Sequence, residues 1–504
     1  MVTQPGAGPA RYDAMVATSR GRVGGLRSGP AAAFLGIPYA TAARFSAPGP
    51  APEWGGIRDA RRPGPAAPQL TSRLAAVMGP APQDTSEAGC LTVNVWTPDP
   101  AGSFPVLFWL HGGAWASGAG SWPWYDGARL AAEQQIVVVT ANYRLGPLGY
   151  LYLAELDPAL GQGNFGFADQ AAALAWVAEQ IPAFGGDPAQ ITVGGQSAGA
   201  HSAALLAAAE PTRALVRRVL LQSGPFGWPL PAETTAAQVA AAVVGELGLE
   251  SPATGVRELP PGELLAAGAR LAQRGRPLAS VNPPLQPVRG ALLPWPDPLT
   301  ALAAAPAGLD VLVGSTTEEM RAFFDLDPAV GAATEADAVA VLDRDRPDGA
   351  EVYARYASRE PGRSPGELLS RILTDRDFTA GAVNAALRRS SREPAAGQAF
   401  LYQFDWRPGR FGACHCADLP FLLGDRAAWA GSPMLEGAGP EFEGLRRSFS
   451  GAVGSFVRDG SPGWAPFGPA EPVAARFGSG GAGSAETRPG LLATAELFSP
   501  AGPS

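Results

Sequence analysis

One stretch limits the fold more than any other. A short apolar run, Ile191-Thr-Val-Gly194, breaks at Gly195-Gln196-Ser197-Ala198-Gly199 and resumes as residues 198–208, which are almost all Ala and Leu. A run of that length reads as a strand, and a helix apolar on most sides has to be buried. The turn between them is a G-x-S-x-G, where small neighbours let the chain reverse sharply and lift a serine clear of the sheet.

Other segments repeat the alternation of strand and helix expected of an α/β sheet. Residues 104–110, 136–140, 218–222 and 309–313 read as strands, and 169–180 as a helix with Leu174 and Val177 on one face. Pro182 and the turn Gly185-Gly186-Asp187-Pro188 end that helix. Residues 235–273 are helical, with Thr235 and Gln238 at capping-box spacing and Val239, Val243 and Leu247 repeating every four residues. They suit either a cap over a cleft or ordinary packing helices. Residues 475–488 read as a Gly/Ser-rich loop.

Composition removes several classes of function. The chain has 504 residues, 46% hydrophobic and 17% charged, so it can bury a core despite 64 Gly and 51 Pro. A formal net charge of −8, with every basic residue an Arg, argues against a nucleic-acid partner. No apolar run reaches the ~18 residues of a membrane helix, and residues 1–20 lack a secretion-type apolar core. Three cysteines cannot build a disulfide framework. Cys414 and Cys416 bracket a histidine but lack the paired cysteines of a zinc site, so no metal is expected. The default is a cytoplasmic globular protein.

A serine hydroxyl needs an adjacent base, and only three histidines can serve Ser197. His201 lies four residues along the same helix, poorly placed to meet the hydroxyl. His111 opens His111-Gly112-Gly113-Ala114-Trp115 after a strand, a segment better suited to supplying backbone N–H groups. His415 remains, far downstream in Gly412-Ala-Cys-His-Cys-Ala-Asp-Leu-Pro420. The acid should stand at the end of a strand between them. Glu318 and Glu319 both follow strand 309–313, and spacing does not choose between them; Asp325 and Asp375 are weaker candidates. The helix starting at Ala198 and the minimal side chains of Gly113 and Ala114 suit N–H donors for an oxyanion.

Taken together the motifs resemble the type-B carboxylesterases, the family of bacterial para-nitrobenzyl esterases, animal carboxylesterases and cholinesterases. Phe184 through Gly199 is similar to the family's nucleophile signature. Ala88-Gly-Cys-Leu-Thr-Val-Asn-Val-Trp-Thr-Pro98 resembles its second signature, with Gly89 where Asp is usual. Phe34 to Ala40, Arg44-Phe45, Asn142 to Gly146, Gly163-Asn164 through Asp169-Gln170, Gln222-Ser-Gly224 and Phe456 to Trp464 follow in order.

The resemblance implies an α/β-hydrolase fold: a central, mostly parallel sheet flanked by helices, with helical cap insertions. It implies one catalytic domain over residues 1–504, with an extension at 1–18, a cap at 230–300 and a Gly/Ser-rich segment at 475–504. It implies a Ser197–His415–Glu319 triad, oxyanion donors at Gly113, Ala114 and Ala198, a buried ion pair between Arg144 and Asp169, and a supporting role for Ser223. Trp115, Gln196 and Phe226 are candidate substrate contacts; Trp228 could line the same apolar pocket.

Departures are informative. Gln196 stands where the family carries Glu, which disfavours cationic substrates. Ala67 stands where relatives have the disulfide partner of the residue matching Cys90, and Met320 replaces a common Gly. The implied activity is hydrolysis of small to medium apolar or aromatic esters without metal or cofactor, by a monomer or small homo-oligomer. Amide, carbamate, thioester or aromatic polyester-oligomer cleavage by the same triad is the alternative, and a non-catalytic interaction protein the remote one.

Overall fold

In the computed structural model, residues 12–274, 276–390, 397–478 and 481–498 are described. The strands, in chain order, are β1 (Ala14–Thr18), β2 (Gly21–Ser28), β3 (Ala31–Pro38), β4 (Ala40–Thr41), β5 (Gly49–Pro50), β6 (Ile57–Asp59), β7 (Thr92–Thr97), β8 (Phe104–Leu110), β9 (Val137–Ala141), β10 (Gly186–Gln196), β11 (Arg218–Gln222), β12 (Asp310–Thr316), β13 (Ala399–Asp405), β14 (Val473–Gly478) and β15 (Gly481–Thr487). One 13-stranded sheet runs β1-β2-β3-β7-β9-β8-β10-β11-β12-β13-β14-β15, with β6 beside β2; β4 and β5 form a separate ribbon. From β9 through β14 every pairing is parallel, and the outer pairings β1–β2, β2–β3, β3–β7, β7–β9 and β14–β15 are antiparallel.

The interior strands are apolar runs because helices cover both faces. Val106, Phe108, Val137, Val139, Ile191, Val193, Val219 and Val311 pack on one side with the helices Phe165–Gln180, Ala198–Leu206 and Ala380–Ser390. Leu107, Trp109, Val138, Leu220 and Leu312 pack on the other, under Glu441–Asp459. A third apolar cluster lies above the carboxyl ends of the strands. It joins Val243, Leu264 and Ala267 of one insertion to Val341, Tyr353, Leu369 and Ile372 of another, and meets the sheet at Trp115, Ala198 and Met320.

β8 lies between β9 and β10, so the chain leaves it for one neighbour and later returns to the other. That switch opens a crevice outside the strand ends, the preferred place for a ligand in an open α/β sheet. Register aligns those ends: Leu110 pairs with Gly195, Gln196 with Gln222, and Gln222 with Gly314.

Several sequence expectations need correction. Residues 14–18 are not an extension but a strand held by β2; residues 1–11 lie outside the described part. The Gly/Ser-rich stretch from 475 forms most of a β14–β15 hairpin followed by the helix Pro489–Leu497, since pairing with a neighbouring strand overrides weak propensity; 479–480 and 499–504 are outside the described residues. The first helix of the cap starts earlier than expected, at Glu233 with Ala232 as its cap, so Thr235 lies inside it and makes no capping bond. The cap also extends beyond 230–300. Helices Glu335–Leu342, Gly349–Arg359 and Pro365–Thr374 supply its second half.

Candidate active site

Ser197 occupies the turn between β10 and the helix Ala198–Leu206 at φ 57°, ψ −123°. A left-handed φ is costly for a serine and persists only where the surroundings enforce it. Its N–H donates to the Gln222 carbonyl at 2.8 Å. The flanking glycines follow from contact. A Cβ at 195 would lie 2.4 Å from the Gly199 carbonyl carbon, and one at 199 would lie 2.1 Å from the Leu110 oxygen.

The segment after β8 closes on this turn. A Cβ at Gly112 would come within 3.1 Å of the Ser197 Cβ. Gly113, Ala114 and Trp115 follow with φ of 111°, 53° and 53°, three successive left-handed residues that curl the backbone back on itself. Two clamps fix the segment. Tyr143 donates its hydroxyl to the His111 carbonyl at 2.7 Å, and the Gln69 amide bonds both the N–H and carbonyl of Gly118, at 2.6 and 2.9 Å.

The three histidines separate cleanly. His111 is stacked on Tyr143 with ring centres 4.3 Å apart, and burial pushes its pKa down to about 4. His201 is fully buried edge-on to Trp115, and burial pushes it down to about 3. His415 alone has a carboxylate partner: its Nδ1 lies 2.5 Å from Glu319 Oε2. Glu319 is fully buried, its other oxygen accepts from the Thr316 N–H at 2.8 Å, and its carbonyl accepts from the His415 N–H at 3.2 Å.

The remaining acids lie elsewhere. Glu318 accepts from the Ala413 N–H at 3.0 Å and pairs with Arg407. Asp325 pairs with Arg321, and Asp375 with Arg371 and the Tyr356 hydroxyl. Arg144 and Asp169 form a buried two-pronged pair at 2.7 and 2.8 Å, away from the serine turn.

At the far edge of the imidazole, Gln196 Nε2 lies 3.1 Å from His415 Nε2. Donation of Nδ1–H to Glu319 leaves Nε2 of a neutral ring as an acceptor, so the amide NH2 is the donor. Gln196 therefore addresses His415, and at 1% exposure it presents almost nothing to a ligand. Trp115 is fully buried, donating its indole N–H to Ser202 at 3.2 Å, and Phe226 is packed against Gly224 and Gly381. None of these three candidate substrate contacts offers accessible surface. The rings beside His415 are instead Phe323 at 5.3 Å and Phe378 at 5.1 Å. Phe378 sits on the single π-helical turn Asp375–Thr379, and Trp228 lies 6.5 Å beyond it.

Asp418 was not singled out from sequence, although it stands three residues after His415 in the Asp-Leu-Pro segment. It is fully buried and accepts from the Tyr402 hydroxyl at 3.0 Å and the Gln222 amide at 3.2 Å. Burial, and then the nearby Glu319 charge, push its pKa up to about 7. Ser223 is buried in a left-handed conformation, with its N–H on the Gly314 carbonyl at 2.8 Å. All three cysteines are free and buried. Among the described residues, no cluster of three or more His, Cys, Asp or Glu could hold a metal, and no helix is long and apolar enough to cross a membrane.

Comparison with known proteins gives the same architecture. The model of the family described as "Carboxylesterase family" matches residues 12–472. A probable N-octanoylanthranilate hydrolase from Rhodococcus erythropolis is 38% identical over 84% of this chain and 87% of its own length. The para-nitrobenzyl esterase of Bacillus subtilis is 34% identical over 89% and 90%. The crystal structure of a Geobacillus stearothermophilus carboxylesterase superposes with a TM-score of 0.82 at 31% identity, covering 95% of this chain and 99% of that one. That structural match carries the α/β-hydrolase fold.

Proposed function

This chain belongs to the carboxylesterase family and hydrolyses carboxylic esters, and from that premise we propose that it does so through Ser197, His415 and Glu319 by an acyl-enzyme route. Ser197 Oγ attacks the ester carbonyl carbon while His415 Nε2 takes its proton. Glu319 holds Nδ1–H and stabilises the imidazolium. The tetrahedral oxyanion faces the N–H groups of Gly113, Ala114 and Ala198. Collapse breaks the bond to the leaving oxygen, which receives the proton from His415. Water then repeats the sequence on the acyl-serine and releases the acid.

The observation that carries this reading is the buried 2.5 Å contact between Glu319 and His415, whose Nε2 lies 3.1 Å from the amide of Gln196, the residue that precedes Ser197 in its strained strand-to-helix turn. Burial lowers the pKa of His111 to about 4 and of His201 to about 3, so both are weak bases and compete poorly as proton acceptors. Gln196 donates to the resting base, where a carboxylate would instead favour the imidazolium.

The aromatic rings around His415 favour apolar or aromatic esters. Turnover of p-nitrophenyl esters of increasing acyl length tests this: activity should be present in the parent and lost in Ser197→Ala. An amide substrate is the second reading, favoured by the relative named for an N-acylanthranilate. Rates on matched esters and amides separate the two, because only the leaving group differs. We further place the chain in the cytoplasm as a monomer or small homo-oligomer, consistent with its free cysteines.

A further inference from the structure

Arg73 stands in the loop that Gln69 fastens to Gly118, beside the oxyanion segment. Its guanidinium carbon sits 5.3 Å from the centre of the Phe323 ring. The same ring lies 5.3 Å from the imidazole of His415. On the opposite side, Arg73 Nη2 donates to the Val281 carbonyl of the cap at 3.0 Å. The cation thus bonds the cap directly and stacks on a ring that also flanks His415.

Two further properties set it apart. The side chain keeps exposed surface, yet burial pushes its pKa down to about 10, with the charge of Arg276 acting in the same direction. Its exposed surface leaves it open to a ligand. Among the described residues no carboxylate pairs with Arg73, whereas Arg321, Arg363 and Arg371 each hold an acid. The Phe323 ring and the Val281 carbonyl engage the cation without neutralising it, and a ligand carboxylate would supply the missing charge.

We propose that Arg73 anchors a carboxylate on the substrate, so that the preferred esters carry an acid group separated from the reacting carbonyl by about the width of one aromatic ring. The guanidinium fork suits two-pronged recognition of a carboxylate. The inference rests on Ser197 and His415 being the reacting pair.

The test compares 4-nitrophenyl monoesters of adipic and suberic acid with their methyl-capped diesters. The ratio of kcat/KM for free acid over capped ester should exceed one in the parent. It should fall about tenfold in Arg73→Gln, the loss of one charge-assisted contact, and less in Arg73→Lys, which keeps the charge. A ratio that is the same in the parent and Arg73→Gln overturns the anchor while leaving ester hydrolysis standing. Failure of the parent to hydrolyse either ester, with no phosphonate labelling of Ser197, overturns the hydrolytic reading as well.

Discussion

The carboxyl edge of the sheet and the cap above it are both buried, but they are specified by different physics. At the sheet edge, Ser197, Ser223, Glu319 and His415 are each positioned by backbone hydrogen bonds, and Ser197 and Ser223 also by turns that few residues can adopt. In the cap, the side chains of Val243, Leu264, Val341, Tyr353 and Leu369 meet by apolar contact, from two insertions far apart in sequence. Backbone constraint fixes atoms finely and tolerates little change. Apolar packing encloses a volume and tolerates repacking. The proposed chemistry draws on the first region, and the second is proposed to shape what enters.

The largest expected break concerns the base. His415→Ala should lower kcat/KM by about four orders of magnitude, as removal of a triad member does, whereas His201→Ala should stay within about tenfold of the parent. Equal losses in the two variants would place the base wrongly. On the cap side, Leu369→Ala removes a fully buried side chain and should cost about 2–5 kcal/mol in chemical denaturation. Ser197 should still react with a phosphonate in the folded fraction. Loss of that reactivity would mean that the cap fixes the sheet edge directly.

A subtler contrast lies at Gln196. Glu in its place puts a negative charge beside Nε2, and the acidic limb of the pH–rate profile should move up by about one unit. An unmoved limb would separate the amide from the base. The smallest effect belongs to Asp418. Its carboxyl binds a proton up to about pH 7 in the native state but only to about 3.8 when unfolded, so native protein carries the extra proton between those values. Stability from this group therefore falls as pH rises through that window. Asp418→Asn should flatten this part of the pH dependence of Tm; an unaltered slope would contradict it.

The contrast also explains what was legible in the sequence. β8 and β11 have the predicted limits, 104–110 and 218–222, because interior parallel strands are continuous apolar runs. The Ser197 turn is visible because clashes at 195 and 199 admit only glycine. Glu318 and Glu319 could not be separated by spacing, since adjacent residues in one turn differ only in what the fold brings to them. The second half of the cap was overlooked although its starts are written locally, as reciprocal caps at Thr334–Asp337 and Ser364–Glu367. Arg73 carries no motif at all. Its meaning arises from Phe323, Val281 and Gly118, which converge on that loop only in the folded chain.

Ser197 is the proposed nucleophile, and covalent capture tests that most directly. A fluorophosphonate should add once per chain, on the peptide containing Ser197, in step with loss of esterase activity, and should leave Ser197→Ala unmodified. Continued ester turnover by Ser197→Ala, or an inactivating adduct on any other residue, would contradict it.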